Sequence, residues 1–459
     1  MNKNSAEEKD EDEEVVAAVT SVEKEDEEGE TNAATAAAAA AADADADIVV
    51  EEEDAIDELV QDMLYRIRAC NRRIISPDDD TPNPLLDFRV DGHTVGKVCP
   101  NIAKLLCSIP LPTTINGNTN YDTNDPVFVF ALVSFSSPLA SSSTSTSDTK
   151  YLTLSEDGAG TTLESRTRAV GIIMNILASK ATSTLTKTTT ISATNTSSPS
   201  NMSDSTPKPL ITGWRNELYP VSVSFYDPPI FLIERAATSV LGILEYGVHI
   251  NGIIANVKKE GNPNTHNDDG DWLMWMGRRS KTKSNYPGYV DHVVAGGQPY
   301  GISLLDNVVK ECYEEAGIPS KYIVQHKTLI PAGIVSYENH YTSKTDTNGS
   351  NEDTNTYYTK VSRVVLFNYD LYLPQDFIPK PNDDEVEEFF LWNYQQLRNS
   401  LRRRNCRTDT STIKPNCYLV IIDFLLRQKN TSNKNIINIS PDTKGYLDIV
   451  RELRNGDCK

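Results

Sequence analysis

A double glycine, a capped amphipathic helix and a closing glycine follow one another in residues 296–318, GGQPYGISLLDNVVKECYEEAGI, and no other stretch constrains the fold as tightly. Ser303 is a good N-cap, and Asp306 three residues later completes a pair like a capping box. Leu305, Val308, Val309, Cys312 and Ala316 recur at helical spacing and predict the apolar face. Gly317 is a natural terminator. Glu311, Glu314 and Glu315 then share an arc of about 100° beside that face. Acidic groups at a helix C-terminus oppose the macrodipole, each at a cost of about 0.3–1 kcal/mol, and they repel one another. Runs of this kind are more often solvated faces than sites. A hard divalent cation such as Mg²⁺ would turn the penalty into binding energy, because carboxylate oxygens are its preferred ligands.

The ordered combination of glycines, helix and carboxylates resembles the Nudix box: Gly, five residues, Glu, seven residues, then Arg-Glu-apolar-any-Glu-Glu-any-Gly-apolar. Aligned on Gly296, the chain supplies Glu311, Cys312, Glu314, Glu315, Gly317 and Ile318, but Ile302 replaces the first box Glu and Lys310 the box Arg. In the family those two side chains are thought to pair and brace the loop rather than to hold metal. Their joint loss removes a tie and leaves no orphaned charge.

The formal charge of −21 on 459 residues is misleading. Residues 1–55 carry 20 Asp/Glu and 3 Lys, a net of −17, so the remainder is near balance at −4. That balance makes no case for a basic nucleic-acid-binding face. The acidic runs and the Ala tract 36–42 predict disorder in the tail, and its composition is opposite to that of a basic organellar presequence. No apolar run approaches the roughly 20 residues that span a bilayer. Seven cysteines, at 70, 99, 107, 312, 406, 417 and 458, lack C-x-x-C spacing. Their scatter fits a reducing compartment and argues against structural zinc. A cytoplasmic protein without a membrane or nucleic-acid partner is the expectation, its oligomeric state left open.

Periodicity predicts an opening helix over 57–75, strands at 88–90, 94–98 and 127–133, a helix over 231–242, and strands at 248–257 and 272–279. Beyond the box it predicts strands at 333–337, 361–372 and 385–392, a short helix after the last of these, and helices at 420–427 and 445–454. Three polar tracts, 137–150, 180–208 and 341–357, have the composition of surface insertions.

The likeness extends outside the box. CNRRI (70–74), VDGHTVGKV (90–98), ESRTRAV (164–170), GWRNELYPVS (213–222), FLIERAA (231–237) and PNCYLVIIDFLLR (415–427) resemble a Nudix subgroup whose members are often named thiamine-pyrophosphokinase-related. The name is not literal, for the chain has no phosphate loop of the G-x-x-x-x-G-K-S/T type. The resemblance implies an α/β fold: a Nudix α/β/α sandwich (246–400) preceded by a smaller α+β companion domain (57–245) and a disordered acidic tail (1–56), with a helical extension (401–459). It further implies a Mg²⁺-dependent hydrolase, with Mn²⁺ as the alternative ion, that acts on a small-molecule diphosphate. Damaged thiamine diphosphate or an oxidised nucleoside diphosphate is the implied substrate class. A non-catalytic Nudix-fold module, or a pyrophosphatase of nucleotide sugars or coenzyme A, are the alternatives.

By the box correspondence Glu311 and Glu315 are metal ligands, Glu314 completes the cluster, and a carbonyl of Gly296 or Gly297 adds another ligand. The family usually draws a further carboxylate from a later strand, for which DDEVEE (383–388), and within it Glu385, is the candidate. Arg278, Arg279, Lys281 and Lys283 are candidate phosphate grips, Arg being suited to bidentate contact. Trp275 is a candidate stacking ring, although Trp in an apolar strand is more often core. Arg215 and Glu217 either close the pocket or form a plain ion pair. His249, His292 and Cys312 read as structural.

Overall fold

A computed structural model describes residues 53–72, 85–115, 118–120, 126–135, 149–179, 209–255, 272–283, 285–325, 328–344, 357–403, 412–428 and 439–456. The expected disorder of the tail lies outside the described residues, except that 53–56 are helical. The polar tracts also lie outside them, save positions 149–150, 341–344 and 357, which belong to strands. The chain divides into two compact units, Met1–Val60 and Gln61–Lys459. In the first, residues 53–60 are helical; in the second, residues 61–70 are helical, where the opening helix is expected.

The second unit contains two cores. Around the first run strands β1 (Leu86–Val90), β2 (His93–Val98), β3 (Thr113–Ile115), β4 (Asn118–Asn120), β5 (Phe130–Phe135) and β6 (Thr149–Leu154). Helices α1 (Pro100–Cys107) and α2 (Leu163–Ser179) and the two-stranded pair β7 (Leu218–Val221) and β8 (Phe231–Glu234) complete it. Asp91 and Gly92, both at positive φ, make the β1–β2 turn that the Asp-Gly pair predicts. Phe88, Phe130 and Phe231 meet at its centre, with centroids 6.1 and 6.2 Å apart.

The helix expected over 231–242 is corrected. Residues 231–234 are a fully buried strand paired with β7, and only Thr238–Leu241 form a short helix, stopped by Gly242 in the left-handed region. A short apolar run is compatible with either element, and here pairing decides.

The second core is built on a seven-stranded sheet of β9 (Leu244–Ala255), β10 (Trp272–Arg279), β11 (Val290–His292), β12 (Val294–Gly297), β13 (Leu329–Lys344), β14 (Tyr357–Tyr372) and β15 (Val386–Asn393). β9 and β14 pair in parallel, and β13 and β14 are antiparallel over fifteen register positions. The chain adds helices α3 (Leu304–Ala316), α4 (Tyr394–Leu401), α5 (Pro415–Arg427) and α6 (Tyr446–Glu452). Side chains alternate along β9. Val248, Ile250 and Ile254 share a buried cluster with Val308 and Cys312 of α3. His249 and Asn251 face the other way: His249 approaches Cys417 of α5, and Asn251 bonds Asp370, which Arg427 of α5 also holds. Thus α3 and α5 cover opposite faces of one mixed sheet, an α/β/α arrangement.

Candidate active site at the C-terminus of helix α3

The loop and helix form as their residues dictate. Ser303 Oγ accepts from the Asp306 N–H at 3.1 Å, and Gly317 closes the helix with bonds from Gly317 N to Tyr313 O and from Ile318 N to Cys312 O. Residues 380–382 satisfy one further end carbonyl, Lys380 N donating to Ala316 O, and add a second donor, Asn382 Nδ2, to Tyr313 O. One expectation fails. Leu305 shares the azimuth of the apolar face, yet it is 50% exposed, and its neighbour Leu304 packs against the core instead.

Glu315 is buried, and its Oε2 accepts from the Ala295 N–H at 2.9 Å. Burial pushes its carboxyl well above the ordinary range; Ala295 opposes that, and Glu311, Asp291 and Glu385 add to it. Glu311 lies over Gly296 so closely that a Cβ there would sit 2.3 Å from the Glu311 carboxyl carbon. Only glycine fits. Burial raises Glu311 too, against the nearby Lys310 ammonium. Lys310 bridges Glu311 at 3.1 Å and Glu314 at 2.9 Å, the latter half exposed. Glu385 completes the group. Burial raises its carboxyl, but the Lys283 hydrogen bond and charge, with Arg215 and Arg279, outweigh burial and leave it lowered.

Of the candidate cations, the structure brings two to this place. Arg279 and Lys283 line one small cleft with Glu315, Glu385, Asp291 and His292. Lys283 pairs with Glu385, and Arg279 with Asp291 at 2.9 Å. Arg278 is held by Glu388 at 2.6 Å over the Phe390 ring, and exposed Lys281 reaches Glu387 at 3.3 Å. Neither lines the cleft. Trp275 is 6% exposed and belongs to the core cluster under α3, so its role is packing rather than stacking on a ligand. Cys312 is likewise core, and burial pushes its thiol up.

The chain is 39% identical over 324 residues to Nudix hydrolase 24, chloroplastic, of Arabidopsis thaliana, across 68% of this chain and 69% of that protein. The chain belongs to the Nudix hydrolase family. It is therefore a Nudix diphosphate hydrolase, an enzyme of phosphorus-anhydride bonds. Nudix hydrolase 20, chloroplastic, from the same plant is 45% identical over 251 residues, 55% of each chain. Residues 201–245 match a family described as a domain of unknown function (DUF4743). Among solved structures, the MutT protein of Methanosarcina mazei Go1 is 16% identical, over 41% of this chain and 96% of that one, with a TM-score of 0.25. Both plant proteins are named chloroplastic, which is a property of those proteins. Among the described residues of this chain no helix is long and apolar enough to cross a membrane.

The Nudix box here is braced without its ion pair. Gln298 Nε2 donates to Ile302 O at 2.7 Å, and buried Asn307 Nδ2 donates to Gly297 O at 2.7 Å. Neutral amides thus hold the loop where the box pattern has a Glu and an Arg. Asn307 carries its own signal, a polar residue on the packed side of an amphipathic helix. Residues 218–235, within the matched segment, pack directly on this loop. Tyr300 N donates to Leu218 O at 3.1 Å, and a Cβ on Gly297 would meet the Tyr219 hydroxyl at 1.7 Å and the Arg235 guanidinium carbon at 3.2 Å. Glu217 pairs with Arg235 at 2.9 Å. No local spacing links residues 217–235 to the box. The sequence points here only through Glu217, expected either to close the pocket or to form an ion pair, and the pair it forms is with Arg235.

Proposed function

We propose that this Nudix hydrolase uses a divalent cation, Mg²⁺ or Mn²⁺, to cleave a small-molecule diphosphate into a monophosphate and phosphate. The substrate class we assign is a damaged thiamine diphosphate or an oxidised nucleoside diphosphate, from the subgroup likeness of residues 57–459. One observation carries the reading: Glu311 and Glu385 both raise the buried Glu315 carboxyl, Glu385 also raises Glu311, and Arg279 and Lys283 line the cleft with Glu315 and Glu385. That donor set fits a hard cation, since it is all oxygen and partly desolvated, and its repulsion is relieved by positive charge.

Glu311 and Glu315 would hold the ion with Glu385 and a Gly296 carbonyl. Bound there, the ion supplies charge neutralisation and lowers the pKa of water. The protein's own groups do the rest. Lys283 and Arg279 bind phosphate oxygens and orient the terminal phosphorus for in-line attack. Glu314, half exposed, accepts the proton of the attacking water. The new P–O bond forms as the bridging P–O bond breaks, and the monophosphate leaves.

Lys310 bridging Glu311 and Glu314 is the observation that favours a non-catalytic module, since it engages two box carboxylates. A diphosphate panel with Mg²⁺, run on wild type and Glu311→Gln with both products measured, separates the readings. Release of phosphate by wild type and its loss in the variant support hydrolysis. Equal inertness across the panel supports the binding module, and two monophosphate products support a nucleotide-sugar or coenzyme A pyrophosphatase.

A further inference from the structure

A second group of ligating side chains is buried against the α5 face of the sheet. His249 of β9, Asp291 and His292 of β11, and Cys417 of α5 each offer one ligand atom, and the four atoms lie within 4.8 Å of one another. The chain is routed to make this meeting. Val290 N donates to Thr412 O and Lys414 N donates to Val290 O, both at 2.9 Å, so residues 412–414 run along β11 and deliver the first turn of α5 to Asp291.

The contacts within the group have the form of a site whose protons stand where a cation would. His249 Nδ1 and His292 Nδ1 are 3.0 Å apart, sharing one hydrogen. The Cys417 thiol donates to Asp291 Oδ1 at 2.7 Å, and that oxygen is 3.9 Å from His292 Nδ1. The other carboxylate oxygen, Oδ2, accepts from Arg279 at 2.9 Å and Lys414 at 3.1 Å. Outer donors of this kind fix a ligating carboxylate in place.

The chemistry of the set selects the metal. We propose that His249, Asp291, His292 and Cys417 bind a structural zinc ion that ties α5 to the sheet. Two imidazole nitrogens, a thiolate and a carboxylate make the tetrahedral, mixed N/S/O set that zinc takes, and four protein ligands leave no open position. Burial holds both imidazoles in the neutral, ligating form, His292 at about 4 and His249 well below its ordinary value. Asp291 is ionised, held well below the carboxylate range against burial by the Lys414 and Arg279 cations. Burial and Asp291 push the Cys417 thiol up, and a coordinated metal displaces such a proton outright. Cys417 also sits in the first turn of a 13-residue helix, where free N–H groups favour a thiolate. Zinc binding would release the thiol proton to solvent, and both rings would carry their remaining hydrogen on Nε2. Two anionic ligands then match the charge of the ion. The proposal does not depend on the hydrolysis reading, since none of the four is a box residue.

The test uses the full chain purified without chelator. Elemental analysis after dialysis against Mg²⁺ buffer should find about one zinc per chain, retained in Glu315→Gln and lost in Cys417→Ser. Cobalt-substituted wild type should show tetrahedral ligand-field bands and a thiolate-to-cobalt charge-transfer band. This measurement needs no variant, so it decides the matter even if Cys417→Ser fails to fold. Wild type that takes up no stoichiometric zinc, a cobalt spectrum without the thiolate band, or zinc lost in Glu315→Gln would each overturn the proposal.

Discussion

The two clusters on this sheet use the same kinds of residue to opposite ends. The glutamates of α3 come from one helix within five residues; Glu314 is half exposed and Glu315 buried, and Lys310 bridges Glu311 and Glu314. The His249, Asp291, His292 and Cys417 group comes from three elements spread over 168 residues and is buried throughout. Openness suits a hard ion that keeps water and exchanges with substrate phosphates. Closure suits a borderline-soft ion that serves folding. The difference lies in desolvation and donor softness, since each cluster includes carboxylates.

The sharpest way to break the comparison is Glu315→Gln. Gln keeps the side-chain volume but removes the charge whose pKa burial has raised. Loss of several kcal/mol of transition-state charge stabilisation would reduce turnover roughly a thousandfold. The metal-free variant should melt no lower than wild type, because a buried charge has been deleted. Steady-state kinetics beside a melting curve reads both. A variant that melts far below wild type would place Glu315 among the structural groups and erase the contrast between the clusters.

The contrast also explains what was legible. The box announces itself because a helix places residues 311, 314 and 315 together at any event, and Ser303 and Gly317 fix its ends. Glu385 could be nominated only from the likeness, since its approach depends on β15 pairing with β10. The scattered cysteines argue against zinc by spacing, and spacing is blind to a set that takes a single Cys from a distant helix. Trp275 and Arg278 were nominated by residue type, but the register of β10 sends the first into the core and hands the second to Glu388. The strand at 231–234 was missed because a buried apolar run has no period of its own.

A smaller effect is expected at the brace. Asn307→Ala would leave Gly297 O without its buried donor and remove an amide from the packed side of α3. Such a loss costs about 1–3 kcal/mol. Urea unfolding should show that loss with no change in zinc content, whereas the apparent affinity for Mg²⁺ should fall, because Gly296 and Gly297 shape the loop under Glu311. An unchanged Mg²⁺ affinity would show that the loop keeps its form without the amide.

The smallest effect is the pH dependence contributed by the glutamates of α3. Glu311 and Glu315 have folded-state pKa values above the ordinary value of 4.5. Between that value and their raised ones the native state binds more protons than the unfolded chain, so metal-free stability contributed by these groups falls as pH rises through the window. Mg²⁺ binds the ionised pair, so its stabilisation should grow across the same window and level off above it. Melting temperatures with and without Mg²⁺, taken over a pH series, should diverge as pH rises in wild type. In a Glu311→Gln, Glu315→Gln double variant the two curves should run together. Parallel curves in wild type would mean that the glutamates are already ionised in the metal-free protein, with Lys310 and Lys283 sufficient to hold their charge.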